Sequence, residues 1–199
     1  MARARGWWRL NQSRLDPRRL VFLDETGLST AMARRYGRAL RGERLVAPIP
    51  AGHWQTVTLV QAIDINGIRT ALLLDGPLDG ASFTGCCEWL LAQVLRPGEI
   101  VILDNLSRHK SKTARAAIQG AGADVLDLPS YSPDLNPIEN VFSKVKALFR
   151  SAAARPWHEL CEIAGNLLGQ ITTSDCRNCF KACGYPTSPS LATLLLETL

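Results

Sequence analysis

No stretch of this 199-residue sequence is long and apolar enough to span a bilayer. Runs such as ALLLDG (71–76) and EIVILDN (99–105) are short and interrupted by charge. The opening MARARGWWRLNQSR has arginines but no apolar core of signal-peptide length, so no secretion signal is expected. Internal repeats and low-complexity tracts are missing, which excludes solenoid and fibrous architectures. With 46% hydrophobic residues the chain can bury one good core, and the expectation is a single soluble intracellular domain with appendages.

Histidine is scarce, three in all, and none lies in sequence near the late cysteines Cys176, Cys179 and Cys183. A C-x2-C pair invites a zinc reading. Against it, the spacing 176, 179, 183 follows one face of a helix. Together with Cys86, Cys87 and Cys161, these residues are expected as buried, reduced thiols.

Lysine is absent from residues 1–44, which hold eleven arginines and four acids, a net of +7. The whole chain carries +5, so residues 45–199 come to −2. Arginine at this density suits bidentate phosphate contacts, or simply a solvated, disordered arm.

What is present is a mixed α/β pattern. LVFLDE (20–25) reads as a buried strand, and residues 27–45 read as a basic loop. Residues 54–76 contain two β-rich runs joined at Asn66-Gly67, a hairpin signal. A helix over 80–95, a buried strand at 99–105, a helix from His109, and a strand at DVLDLP follow. Helices after Pro137, near 156–169 and over 174–182 complete the series. The order is β-β-β-α-β-α-β-α, with three leading antiparallel strands and two further ones flanked by helices.

Three acids occupy special places in this order. Asp24 ends the first strand and Asp104 the buried fourth, where ligands of α/β sheets collect. Glu139 opens a helix behind LPSYSPDLNPIE, whose Pro133 and Pro137 stiffen the lead-in; Asp134 or Asn136 is expected to cap that helix. Gathered together, these acids repel unless divalent cations neutralise them, and an all-oxygen set favours Mg²⁺ or Mn²⁺. Two such ions form the clamp used in phosphodiester cleavage. Each acid alone reads equally as a turn or first-turn residue. Glu25 is expected to point away from Asp24 by strand alternation. On the last helix named, Glu139, Ser143, Lys146 and Arg150 share the face opposite the apolar stripe of Ile138, Val141, Phe142, Val145, Leu148 and Phe149.

FLDET (22–26), ILDNLSRHKS (102–111) and LPSYSPDLNPIENVFSKVK (128–146) resemble the three catalytic blocks of DDE transposases, in the bacterial insertion-sequence branch of the mariner-like superfamily. The 34 residues between Asp104 and Glu139 match that branch's spacing. The resemblance implies an RNase H-like fold and two Mg²⁺ or Mn²⁺ ions on Asp24, Asp104 and Glu139. It also implies strand cleavage at transposon ends, then transfer of the 3′-hydroxyl into target DNA. It further implies a cytoplasmic, nucleoid-associated protein, working as a homodimer on DNA.

Asn105 and His109 match family positions beside the second acid, and Lys110 opens the next helix, where it could meet phosphates. With Arg34, Arg35, Arg38, Arg41, Arg44 and Lys146, they are the DNA-contact candidates. Family members carry a helix-turn-helix region ahead of the catalytic domain. Here the expected organisation is a basic remnant (1–16), a catalytic domain (17–185) and a tail (186–199), with a separate helix-turn-helix polypeptide as a possible partner. Two other readings stay open: a non-catalytic remnant that binds DNA or dimerises with a full-length transposase, and a general RNase H-like nuclease.

Overall fold

The computed structural model describes residues 2–34, 36–46, 55–152 and 157–187. At its centre, five strands form a mixed sheet. β1 (Leu20–Ser29) pairs antiparallel with β2 (Thr56–Asp64), and β2 with the edge strand β3 (Gly67–Asp75). On its other side β1 pairs parallel with β4 (Ile100–Leu103), which pairs parallel with β5 (Asp124–Asp127). The sheet order is therefore β3-β2-β1-β4-β5.

The continuous apolar runs in β1 and β4 exist because both faces of the sheet are covered. Alternation sends Leu20, Phe22 and Ile102 to one layer, and Val21, Leu23, Val101 and Leu103 to the other. The first layer is closed by α5 (Pro137–Ala152), α6 (Trp157–Leu168) and α7 (Thr173–Ala182). The second is closed by α2 (Gly80–Cys86), a π-helical turn at Cys87–Leu91, α3 (Ala92–Val94) and α4 (Lys112–Gly120). Along α5, Ile138, Val141, Phe142, Val145 and Phe149 are buried as their spacing predicts, while Leu148 is half-buried.

Four local expectations are corrected. β1 runs four residues past Glu25, because its ladder with β2 continues to Ser29↔Thr56. The hairpin turns on Ile65 and Asn66 instead of Asn66-Gly67: Asp64 Oδ1 accepts from Asn66 N–H (2.7 Å) and Gly67 N–H (3.0 Å), and Gly67 starts β3 opposite Asp64.

The basic start is no solvated arm. It forms α1 (Ala2–Asn11), whose Trp8 is buried in the first layer. The Trp8 indole donates to the Tyr185 hydroxyl (3.0 Å), which donates in turn to the Leu135 carbonyl (2.9 Å). Gly184, packed against Gln12, has φ +84°, a left-handed conformation that favours glycine. Finally, Cys176 and Cys183 are buried, which pushes their thiols up to about 12, but Cys161 is exposed. Among the described residues no helix is long and apolar enough to cross a membrane.

Candidate active site

The parallel register of β1 and β4 sets Phe22 beside Ile102. Asp24 and Asp104 each lie two residues further on, so the register alone brings them to neighbouring positions at the same end of the sheet. Asp24 has the parity of Leu20 and Phe22, which turns it towards the layer containing α5. Glu139 stands in the first turn of α5, which packs against β1. All three acids line one cleft of about 420 Å³, together with Asn105, Tyr131 and Asn136.

The lead-in to Glu139 is held differently from the sequence expectation. Pro137 is the first residue of α5, so Asn136 stands at its N-cap position, where its carbonyl accepts the Glu139 N–H (3.2 Å), but its side-chain Oδ1 caps nothing. Asn136, buried, donates from Nδ2 to Asp24 Oδ2 at 2.8 Å. Asp134 accepts from Arg5 (2.9 Å) and Arg9 (2.8 Å) of α1. Arg5 also donates to Ser132 Oγ and the Tyr131 carbonyl, both at 2.9 Å. Tyr131 is the one non-glycine among the described residues in the left-handed region (φ +54°), and this clip on its carbonyl helps hold it there.

Burial, then the charges of Glu25 and Asp104, pushes the Asp24 carboxyl up to about 7. Glu139 lies at the exposed rim; partial burial comes first in raising its pKa, Lys146 works against it, and Asp104 and Glu25 add to it.

Glu25 points to the opposite face from Asp24, as alternation requires, yet it still serves the site. Its Oε2 meets His109 Nε2 at 3.0 Å, and Oε1 takes an ion pair from Arg108. His109 Nδ1 is in ionic contact with Asp104 Oδ1, without the alignment of a hydrogen bond. Burial works to discharge His109, but its contacts with Asp104 and Glu25 win and push it up to about 9. The His109 ring lies 4.5 Å from that of Phe83.

His109 is therefore a wholly buried support of Asp104, with no surface to offer a DNA backbone. Asn105 lines the cleft, donating to Ser130 Oγ at 3.0 Å, and Lys110 is exposed. Lys146 is half-buried within electrostatic reach of Glu139. Arg34, Arg38, Arg41 and Arg44 are all exposed; Arg35 lies outside the described residues. Arg34 shares a surface groove with Tyr36, Lys144 and Arg150. Asn136, Glu25 and the α1 arginines were not singled out as site residues from sequence, since each acts through a partner far away in the chain.

A family model described as DDE superfamily endonuclease matches residues 19–161. The chain belongs to this family. No curated protein sequence matches it. Among solved structures, the Mos1 transposase paired-end complex with left transposon end aligns with TM-score 0.76 and 16% identity, over 91% of this chain and 58% of that one. The catalytic domain of Mos1 mariner transposase aligns at 0.65 and 16%, over 91% and 87%. The mariner Mos1 paired-end complex with Mg aligns at 0.65 and 16%, over 91% and 59%. The chain thus spans somewhat more than half the length of the Mos1 chains in those complexes, and its sheet is that of the RNase H-like catalytic domain of Mos1.

The donor set of this cleft fits a hard divalent cation. Its donors are all oxygens, and burial first, then the neighbouring charges of Glu25 and Asp104, keep a proton on Asp24 up to about 7, a cost that a cation would relieve. Asn136 Oδ1, buried in the cleft wall without a hydrogen-bond partner, is a further oxygen donor. Among the described residues no three His, Cys, Asp or Glu side chains stand at a spacing that grips one ion. Asp24 Oδ1 accepts the Glu25 N–H (2.8 Å), Oδ2 accepts from Asn136, and Asp104 Oδ1 accepts the Leu106 N–H (3.1 Å). A cation would compete with these protein donors for the carboxylate lone pairs.

Proposed function

We propose that this chain is the catalytic domain of a transposase. It cuts DNA strands at the ends of a mobile element and joins the freed 3′-hydroxyls to target DNA. Asp24, Asp104 and Glu139 are its metal-holding catalytic acids. The observation carrying this reading is that the three acids, from β1, the end of β4 and the first turn of α5, line one cleft in a chain of the DDE superfamily. Two Mg²⁺ or Mn²⁺ ions, when bound, supply charge neutralisation at the phosphate and activation of the attacking water or hydroxyl. Mos1, whose structures include a complex with Mg, supports that choice of cation.

The chain's own residues do the positioning. His109, backed by Glu25 and Arg108, fixes Asp104; Asn136 holds Asp24 until a cation draws it away; and the α1 clip on residues 131–134 sets the approach to Glu139. No covalent enzyme intermediate forms, so positioning and electrostatics carry the rate. Arg34, Arg38, Arg41, Arg44 and Lys146 contact DNA phosphates. Two ends are held by a homodimer, and a helix-turn-helix polypeptide reads the end sequence. The test is nicking of supercoiled DNA by the purified chain with Mn²⁺. Nicking by wild type that Asp104→Ala abolishes is the expected result; no nicking, or equal nicking by the variant, overturns the reading.

A further inference from the structure

Asp24 has a neighbour that neither the fold nor the acid cluster explains. In the antiparallel ladder of β1 and β2, the Cα partner of Asp24 is Gln61. Val57, Leu59 and Ile63 of β2 all enter the α5-side layer, so alternation puts Gln61 on that same face, the face of Asp24. Directly opposed residues on one face of an antiparallel pair have Cβ atoms about 4.5–5.5 Å apart, within reach of a glutamine amide. Gln61 has no exposed surface, yet both its amide atoms, Oε1 and Nε2, lack a hydrogen-bond partner. Burying an amide in that condition is unfavourable, and an apolar side chain of the same length would fill the site without that cost. Every neighbour of Gln61 at alternate β2 positions is in fact apolar.

We propose that Gln61 is a positioning residue for Asp24: its Nε2–H₂ group donates to the Asp24 carboxylate when a divalent cation draws that carboxylate away from Asn136. This rests on the cation-holding reading above. In the cation-free arrangement Asp24 is already satisfied by the Glu25 N–H and by Asn136, which leaves Gln61 idle. A cation that turns Asp24 frees one of its oxygens. A donor poised on the adjoining strand then fixes the ligand's orientation, as outer-shell partners of metal ligands do. The unpartnered Oε1 is free to accept from water in the cation's shell.

The experiment is a Mg²⁺ titration of the purified chain, followed by thermal melting and by calorimetry, for wild type, Gln61→Met, Gln61→Leu and Asp24→Asn. The expected result is a wild-type Tm that rises with Mg²⁺. Both Gln61 variants should melt at or above the wild-type temperature without metal, and bind Mg²⁺ at least tenfold more weakly, within the ~10–100-fold range typical of outer-shell partners. Asp24→Asn should lose the response. If Gln61→Met and Gln61→Leu melt lower than wild type without metal, or fail to fold, while wild type responds to Mg²⁺, Gln61 is a structural glutamine and the proposal is overturned. Unchanged Mg²⁺ affinity in the variants overturns it equally. A wild type that ignores Mg²⁺ overturns the cation reading itself and this role with it, a failure recognisable because it precedes any variant.

Discussion

Asn136 Nδ2 donates a hydrogen bond of 2.8 Å to Asp24 Oδ2, tying the turn before α5 to the first strand across 112 positions of sequence. The bond sets the distance between the elements carrying the first and third acids. Asn136→Ala leaves Asp24 buried with one donor fewer, so a loss of about 1–3 kcal/mol is expected in urea unfolding. Asn136→Asp adds a like charge beside Asp24 and should be less stable than the alanine variant at pH 8, with Mg²⁺ narrowing the difference.

The α1 clip is expected to affect rate more than stability. Arg5 and Arg9 meet Asp134 in partly exposed ion pairs, so Asp134→Ala should alter global stability by less than about 1 kcal/mol. With the Asp134 contacts gone and only those of Arg5 to Tyr131 and Ser132 left, the 131–136 segment holds Glu139 less firmly, and nicking should drop several-fold. An unchanged rate would remove the Asp134 pairs from the machinery. Trp8→Phe, which deletes the bond to Tyr185, should lower stability by about 1 kcal/mol.

The contrast between these long-range bonds and the acids marks what a sequence reveals. Asp24, Asp104 and Glu139 each follow or open a recognisable element, and the apolar runs before Asp24 and Asp104 had to be buried strands whatever their partners. The order of elements along the chain was legible for the same reason. The hairpin was legible in kind but misplaced, because the Asp64 side chain closes a turn that Asn66-Gly67 alone would centre one residue later. Trp8 looks like part of a basic tail until Tyr185, 177 positions away, supplies its partner. Asn136 looks like a helix cap until Asp24 takes its donor. Glu25, His109 and Gln61 depend likewise on packing between strands and helices that no local pattern announces.

Without divalent cation, stability should fall as pH rises. The Asp24 carboxyl keeps its proton up to about 7 when folded, against 3.8 as its ordinary value. The folded state therefore binds more protons than the unfolded one across that window, and each step upward in pH favours unfolding. His109, raised from 6.5 to about 9, acts in the same direction: its stabilisation is complete below 6.5 and is lost towards 9. The Asp24 part is at most on the order of 4 kcal/mol. Chemical denaturation between pH 5 and 9 should trace this decline, and saturating Mg²⁺ or Asp24→Asn should flatten its lower part. A wild-type profile that is flat or rising contradicts these environments.

Glu25→Gln should leave Asp104 in place while weakening the hold on the His109 proton. An imidazole titration followed by NMR is expected near 9 in wild type and clearly lower in the variant. An unmoved titration would mean that Asp104 alone holds His109 charged.

Replacing Arg34, Arg38, Arg41 and Arg44 with alanine should weaken DNA binding for all sequences alike. It should also reduce the slope of log affinity against log salt by up to about 0.9 for each phosphate no longer neutralised. An unchanged slope would place those arginines off the DNA.

The most direct measurement is a crystal of the chain soaked in Mn²⁺ and recorded for anomalous scattering. Two peaks in the cleft are expected, held by Asp24, Asp104 and Glu139 at metal–oxygen distances of about 2.1 Å. A cleft without anomalous signal in crystals of an ordered domain, or metal held elsewhere with these acids still on their protein donors, would contradict the account.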